Sequence, residues 1–541
     1  MIDLQSCIFL FHFTPPPAFG RAPLLLVSDM GGKPKRTDLD GLSRLRQPLI
    51  SHSFSLLVEW FRTRAVPLPP TVIDLETAKK LLVGRPKSDF PRGRPWDMPS
   101  MVEQLIHARY ERKLLQPALM AHLAPPPIGD FGNFRWMVRV ASGLPRLWRE
   151  IQSDLEAKGE LRRFLEVEVP AYNAMLAVQY RGISIDPEIG EKFLRELEDA
   201  FMAAHHQLTF RQGVDVDRAL ADVEYLKKHL RVPARGTEEN KNIRELLRAR
   251  KADDPVCQLL DVVAGAKQNR HILLRCLGGS AERCYPAFDT MGTVTGRILA
   301  TDPSLQHLKK MYRGVLRAEK GRKLIYLDYA QFEPSIMAAV SGDPSMRALC
   351  AEEDLYRRLA KEVFGDAEHR KSAKLLFLAY AYGMRISALP DLLAAVLPER
   401  QRAEEAIRRK FLPLFAGVEN WKLSVNKRLA GDLKIETVFG NHRYRAASGD
   451  LLPDEERWAV NQIVQGTGSL ILKKFINELA GGFPDVAILL PMHDALLVEV
   501  PEENAKELTA GLLLCARKAF SDICPSVLPI VREKPFGEAA P

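Results

Sequence analysis

Two aspartates and two cations carry the chemistry that can be read from this sequence. Asp328 follows the apolar run Leu324-Ile325-Tyr326-Leu327, and Asp494 follows the apolar run from Val486 to Met492, so each carboxylate stands where a buried strand meets a polar surface. Either one alone is an ordinary turn or cap residue. Together, on neighbouring strands, they would hold a pair of divalent ions, the arrangement that clamps attacking and leaving oxygens in phosphoryl transfer. Between them, in RKSAKLLFLAYAYGM (370–384), Arg370, Lys374, Leu378 and Tyr382 recur every fourth position and so share one side of a helix. Cations in a first turn oppose the helix dipole. A solvated basic face is the plain alternative for Arg370 and Lys374, but beside two metal-ligand carboxylates a triphosphate accounts for them better.

The elements that must position these groups follow from the same patterns. A strand ends at Asp328, and LLPMHDALLVEV reads as two strands joined by a tight turn that holds His493 and Asp494. The chain of 541 residues is long enough for two to four domains, and 46% apolar with 27% charged residues is ordinary for soluble globular protein. A formal charge of +9 favours a polyanionic partner bound with strong salt dependence. The seven cysteines are scattered, with no CxxC pair, which points to neither a disulfide framework nor a zinc site and fits a reducing compartment. No apolar run approaches a membrane span, and the first residues lack a basic region followed by an apolar stretch, so neither an anchor nor a leader is expected.

The segments are also collectively similar to one family. DYAQFEPSIMAAVSGD (328–343), RKSAKLLFLAYAYGM (370–384) and LLPMHDALLVEV resemble motifs A, B and C of the family A DNA polymerases, the bacterial DNA polymerase I class. GTVTGRILATDPSLQHL (292–308), TVFGNHRYR (437–445) and NQIVQGTGSLILKKF (461–475) resemble further segments in the same order. Six segments in order are far more specific than any one of them. The resemblance implies an α/β multidomain fold with right-hand palm, fingers and thumb, preceded by a ribonuclease H-like α/β relic domain.

It also implies a set of site residues. Asp328, Asp494 and the Tyr329 carbonyl would hold two Mg²⁺ ions, which favour hard oxygen ligands. Arg370 and Lys374 would bind the β- and γ-phosphates of a deoxynucleoside triphosphate, with Lys374 also placed to protonate pyrophosphate. Gln331, Glu333, Tyr356, Leu378 and Tyr382 would complete the nucleotide site, Glu333 excluding a ribose 2′-hydroxyl. Arg297, Gln306, Arg443, Asn461, Gln465 and His493 would contact primer–template DNA. The expected organisation is a degenerate 3′–5′ exonuclease-like domain over 1–165, polymerase entry and helical thumb over 166–285, palm over 286–340 and 431–541, and fingers over 341–430. In 1–165 the early Asp-x-Glu strand is missing and HARYERKLL (107–115) is all that matches the last motif, so Asp74 stands as one carboxylate without a two-metal site and no proofreading is expected. Residues 129–150 read as a connection ending in an amphipathic helix, and RVPARGTEENKNIRELLRARKADD as a basic loop between long helices.

Three positions depart from the family's pattern. Leu378 stands where an aromatic ring usually faces the incoming sugar and base; adjacent Phe377 is about 100° away around the helix. Ala495 replaces an acidic residue that supports the metals. Pro334 follows Glu333 and is expected to shift the start of the next helix. The activity implied is DNA-templated DNA synthesis by a cytoplasmic monomer, nucleoid-associated if the source is bacterial, with low-fidelity synthesis, repair or bypass, or mobile-element replication as the candidate roles. A catalytically weak primer–template-binding protein is the alternative, and RNA synthesis is disfavoured by Glu333.

Overall fold

The computed structural model describes residues 4, 6–13, 23–31, 33–91, 93–98, 100–101, 131–232, 242–278 and 282–537. The chain divides into two compact units, one of Met1–Arg181, Phe288–Leu299 and Ile325–Lys534, the other of Gly182–Ala287, Ala300–Leu324 and Pro535–Pro541.

The first unit begins with β1 (Ile8–Phe13), β2 (Leu24–Ser28), β3 (Lys35–Thr37), β4 (Leu49–Ser51) and β5 (Val72–Asp74), in spatial order β3-β2-β1-β4-β5. The first three pair antiparallel, whereas β4 and β5 join parallel. Alternation along the strands sends Phe9, Phe11, Ile50 and Ile73 to one face and Leu10, Leu49 and Val72 to the other, and both faces are buried. Helix α1 (Leu75–Val83) follows β5 directly. Helix α2 (Phe131–Ala157) covers the first face with Val140, Leu144, Leu147, Trp148, Ile151 and Leu155. It is one continuous helix through Pro145, where the sequence led us to expect a connection. An interior proline costs about 3 kcal/mol. Each large apolar side chain buried on this stripe contributes about 1.5–3 kcal/mol, so packing outweighs the break.

Helix α3 (Val169–Arg181) ends this layer. The second sheet of the unit contains β6 (Arg322–Ala330), which runs into α4 (Phe332–Ser341). Pro334 lies inside the first turn of α4, where its missing N–H has no helical partner to lose, so the helix accommodates it without a break. Helices α5 (Leu355–Phe364) and α6 (Arg370–Ala381) follow, then the hairpin β7 (Lys434–Thr437) and β8 (Gly440–Tyr444). Helix α7 (Pro453–Gly482), β9 (Ala487–Pro491), β10 (Ala495–Pro501), α8 (Ala505–Ser521) and β11 (Ile530–Glu533) complete the unit, the sheet order being β9-β10-β6-β11.

The middle of α7 is buried on every side, as expected of a helix apolar all round. Gly466 is required there: a Cβ would come within 2.6 Å of the Thr437 methyl on β7. Three charges are buried beside it. Glu168 accepts from Lys473 Nζ at 2.5 Å and from Arg163 Nε at 2.9 Å, and Arg163 Nη1 donates to the Phe439 carbonyl at 2.9 Å in the β7–β8 turn. Exposure is 0% for Glu168 and Lys473 and 1% for Arg163.

In the second unit, helices Pro187–His206 and Pro255–Leu277 pack together. Each starts on an aspartate cap, Asp186 or Asp254, followed by proline at the first helical position. The expected basic loop is partly helical. Ile243–Arg250 forms a helix behind a capping box in which Asn242 and Glu245 exchange hydrogen bonds, while 233–241 lie outside the described residues. Among the described residues no helix is long and apolar enough to cross a membrane.

Candidate active site

Strand β6 buries Ile325, Leu327 and Tyr329 on one side and so presents Asp328 on the other. Asp494 sits in the connection from β9 to β10, closed by Met492 N–H donating to the Ala495 carbonyl at 2.8 Å. Tyr329 N–H donates to the Asp494 carbonyl at 2.9 Å, which sets the two aspartates side by side. The Tyr329 phenol is turned away, donating to the Ala516 carbonyl at 2.7 Å with its ring stacked on Phe332. Asp494 keeps some accessible surface, yet desolvation of its carboxyl within the site, and then the adjacent Asp328 charge, hold it above the usual carboxylate range. Two cations face this acidic pair. Lys534 Nζ binds Asp328 Oδ1, and Arg297 Nη2 donates to Glu333 Oε1 at 2.6 Å. Burial raises the Glu333 carboxyl, against the opposing pull of Arg297.

Among the described residues no group of three or more His, Cys, Asp or Glu forms a metal cage. Two adjacent aspartates still fit Mg²⁺, which keeps several waters and takes one or two carboxylates plus substrate phosphates rather than an all-protein shell.

The helix expected to bind phosphates is α6. Its underside buries Ala373, Leu376, Phe377 and Tyr380, leaving Arg370, Lys374 and Leu378 along one side and Tyr382 as the C-cap. Arg370 Nε donates to Asp354 Oδ2 at 2.5 Å, and Asp354 also caps α5 by accepting from the N–H groups of Tyr356 and Arg357. Tyr356 lies beneath both cations, its ring centroid 5.6 Å from the Arg370 guanidinium and 5.5 Å from Lys374 Nζ. Burial pushes its phenol up to about 12, so it stays neutral. Phe377 is packed against Tyr356 and Phe415, away from the position of Leu378. The Gln331 side chain is used by the fold: at φ +54° it follows β6, its amide donating to the Glu352 carbonyl at 3.1 Å and accepting from Leu355 N–H at 3.1 Å.

The residues expected on DNA are distributed more widely. Arg297 follows Gly296, a turn residue at φ +79° whose carbonyl accepts from Ser469 Oγ on α7. Asn461 and Gln465 lie one turn apart on α7, both half-buried. Arg443 on β8 stacks over the Trp458 ring at 4.2 Å, and burial lowers its guanidinium to about 10. His493 is exposed next to Asp494. Gln306 belongs to the second unit, where its Oε1 accepts from Ala300 N–H at 3.0 Å.

The match to the family model for DNA polymerase family A covers residues 193–521. The chain belongs to DNA polymerase family A. The thermostable DNA polymerase I of Thermus thermophilus is 28% identical over 432 residues, covering 73% of this chain and 50% of that protein. For DNA polymerase I of Pseudomonas aeruginosa the figures are 25% over 425 residues, 72% and 46%; for that of Helicobacter pylori, 24% over 364 residues, 63% and 40%. The chain thus spans about half the length of the curated relatives it matches. A solved structure, the POL domain of Pol1 from M. smegmatis in complex with DNA primer-template and dNTP, superposes with a TM-score of 0.75 at 19% identity, covering 98% of this chain and 95% of that one. The fold is therefore that of a family A polymerase domain.

In the N-terminal layer, Asp74 is consumed by the fold. Its Oδ1 accepts from Ser53 N–H at 3.0 Å, and its Oδ2 from the N–H and hydroxyl of Thr77, both at 2.8 Å. Burial, then the nearby Glu76 charge, pushes its carboxyl up. Glu76 and Asp289 share Lys80, at 2.8 and 2.7 Å. HARYERKLL lies outside the described residues. Sequence reasoning missed Lys534, Asp354 and the Arg297–Glu333 pair. An aspartate immediately before the helical run Leu355–Phe364 signals Asp354 as a cap but not as the partner of Arg370, and nothing local marks Lys534.

Proposed function

We propose that the chain is a DNA-templated DNA polymerase that extends a primer 3′ end with deoxynucleoside triphosphates and does not proofread. The observation that carries this reading is the juxtaposition of Asp328 and Asp494 through the Tyr329 N–H, in the same unit as the cationic face of α6. Two Mg²⁺ ions held by Asp328, Asp494 and the Tyr329 carbonyl would lower the pKa of the primer hydroxyl and neutralise charge on the leaving pyrophosphate. Arg370, once it exchanges Asp354 for phosphate, and Lys374 bind the β- and γ-phosphates over the neutral Tyr356. Lys374 donates a proton to pyrophosphate. Glu333, held by Arg297, closes the site to a ribose 2′-hydroxyl, Tyr382 stacks near the nascent pair, and Gln331 belongs to the nucleotide site while its amide fixes the backbone that leads into α5. Arg297, Arg443, Asn461, Gln465 and His493 track the primer–template, with Gln306 on the template strand.

In this reading 1–165 is a relic platform, and its single Asp74, engaged as a helix cap, supports the absence of exonuclease activity. Residues 166–285 form the entry and thumb, 286–340 and 431–541 the palm, and 341–430 the fingers. The aliphatic Leu378 supports relaxed checking of the incoming sugar and base.

Primer extension with Mg²⁺ and four dNTPs tests the reading. Wild type extends and Asp494→Ala does not. Binding of primer–template without extension by wild type would favour the alternative, a protein that keeps the polymerase fold for DNA binding. In the same assay Leu378→Phe lowers misincorporation, and an unchanged error rate rejects relaxed checking.

A further inference from the structure

Asp328 already has a cation. Lys534 follows β11 immediately, and its N–H donates to the Tyr326 carbonyl at 2.9 Å, which fixes its backbone alongside β6. From there its ammonium reaches Asp328 Oδ1. The two partners differ in freedom: the Asp328 side chain is 14% exposed, that of Lys534 45%. The carboxylate is thus confined to the site, whereas the ammonium stands on a flexible four-carbon stem with water on one side. The neighbouring cations are engaged elsewhere, Arg532 with Glu353 at 3.2 Å and Arg297 with Glu333 at 2.6 Å. Lys534 is therefore the cation bound directly to a proposed metal ligand among the described residues. An ammonium on a carboxylate oxygen blocks that lone pair and repels an arriving dication.

We propose that Lys534 is a built-in counter-ion that competes with divalent metal for Asp328, so that metal loading of this site exchanges an ammonium for a metal ion. The proposal rests on the assignment of Asp328 and Asp494 as metal ligands. The pair keeps the acidic site neutralised when metal is scarce. Because a half-exposed ion pair is weak, the lysine yields when metal is plentiful and shifts the loading midpoint upward without blocking it.

The test is a Mn²⁺ titration of the full chain followed by electron paramagnetic resonance, with neither DNA nor nucleotide present, so that binding is read without turnover. Lys534→Met and Lys534→Gln bind Mn²⁺ about two- to fivefold more tightly than wild type, the scale set by a surface ion pair, while Lys534→Arg binds like wild type. Thermal melts identify any variant that does not fold; the two neutral substitutions and the charge-retaining one check each other. If Asp494→Asn abolishes the bound signal but the neutral Lys534 variants bind no tighter than wild type, the counter-ion proposal is overturned and the metal site stands. If Mn²⁺ binding is absent from wild type, or persists in both Asp328→Asn and Asp494→Asn, the ligand assignment fails and the proposal fails with it.

Discussion

Glu168→Gln should destabilise the protein far more than Lys473→Met, although both residues are fully buried members of one cluster. Among the described residues Glu168 is the anion directly bonded to both cations there, accepting from Arg163 at 2.9 Å and Lys473 at 2.5 Å. An amide of the same shape leaves both cations buried without a countercharge. Breaking a buried pair by removing one partner costs about 3–5 kcal/mol, a large share of the roughly 5–15 kcal/mol that holds a native protein together. With a denaturant slope of about 3 kcal/mol per molar urea, the unfolding midpoint falls by about 1–1.7 M. Lys473→Met instead leaves Glu168 paired with Arg163 and replaces an ammonium whose pKa burial already holds below the lysine range. Glu168 keeps Arg163 as its countercharge, so no buried charge is left unpaired and a smaller loss, about 1–2 kcal/mol for the missing charge-assisted hydrogen bond, is expected. The perturbation also has a local readout. Arg163 supports the Phe439 carbonyl in the hairpin that carries Arg443, so Glu168→Gln also weakens primer–template binding at temperatures where it remains folded. Equal midpoints for Glu168→Gln and wild type, or equal losses in the two variants, would refute this account.

Two other carboxylates, Glu160 and Glu333, are held by specific partners whose loss can be measured. Glu160 accepts from Asn441 N–H at 3.0 Å, from His442 N–H at 2.8 Å and from the His442 ring; burial pushes its pKa up, but these bonds, the ring first, bring it below the ordinary glutamate value. Between the lowered folded value and the unfolded one, the unfolded state binds more protons, so Glu160 contributes full stability above the unfolded pKa and loses it as pH falls through the folded one. Glu160→Gln costs about 1–3 kcal/mol at neutral pH and flattens the acid limb of urea midpoints taken from pH 7 to 3; an unchanged limb would count against it. Arg297→Ala frees Glu333 from its 2.6 Å partner, so the ratio of deoxyribonucleotide to ribonucleotide kcat/KM falls toward that of Glu333→Ala, and the double variant is no worse than Glu333→Ala alone. Fully additive losses would mean that the two residues act independently.

The parts of the site that were legible in the sequence are those set by local rules. Asp328 and Asp494 end apolar strands, and the four-residue spacing from Arg370 to Leu378 survives as one helix side, because strand alternation and helical period act within a few residues. What was not legible depends on distant partners. Lys534 meets Asp328 only through the pairing of β6 with β11, and Arg370 meets Asp354 only because α5 and α6 pack together. Pro145 reads as a helix breaker until the sheet it packs on is known. Ile243–Arg250 was misread as a loop because its basic residues hid a capping box and two buried leucines, Leu246 and Leu247.

The turn between β9 and β10 has a consequence for how this gene can vary. Pro491 pairs with Leu496, and a hydrogen bond from Met492 to Ala495 closes the connection that displays Asp494. One inserted or deleted codon between them would slip the register. Each slip by one residue turns a strand's side chains to the opposite face, so the buried run Leu496, Leu497 and Val498 would change sides while Asp494 lost its alignment with Tyr329. Reading-frame-preserving length changes, usually the best-tolerated mutations in a surface connection, are therefore excluded here by fold and chemistry at once.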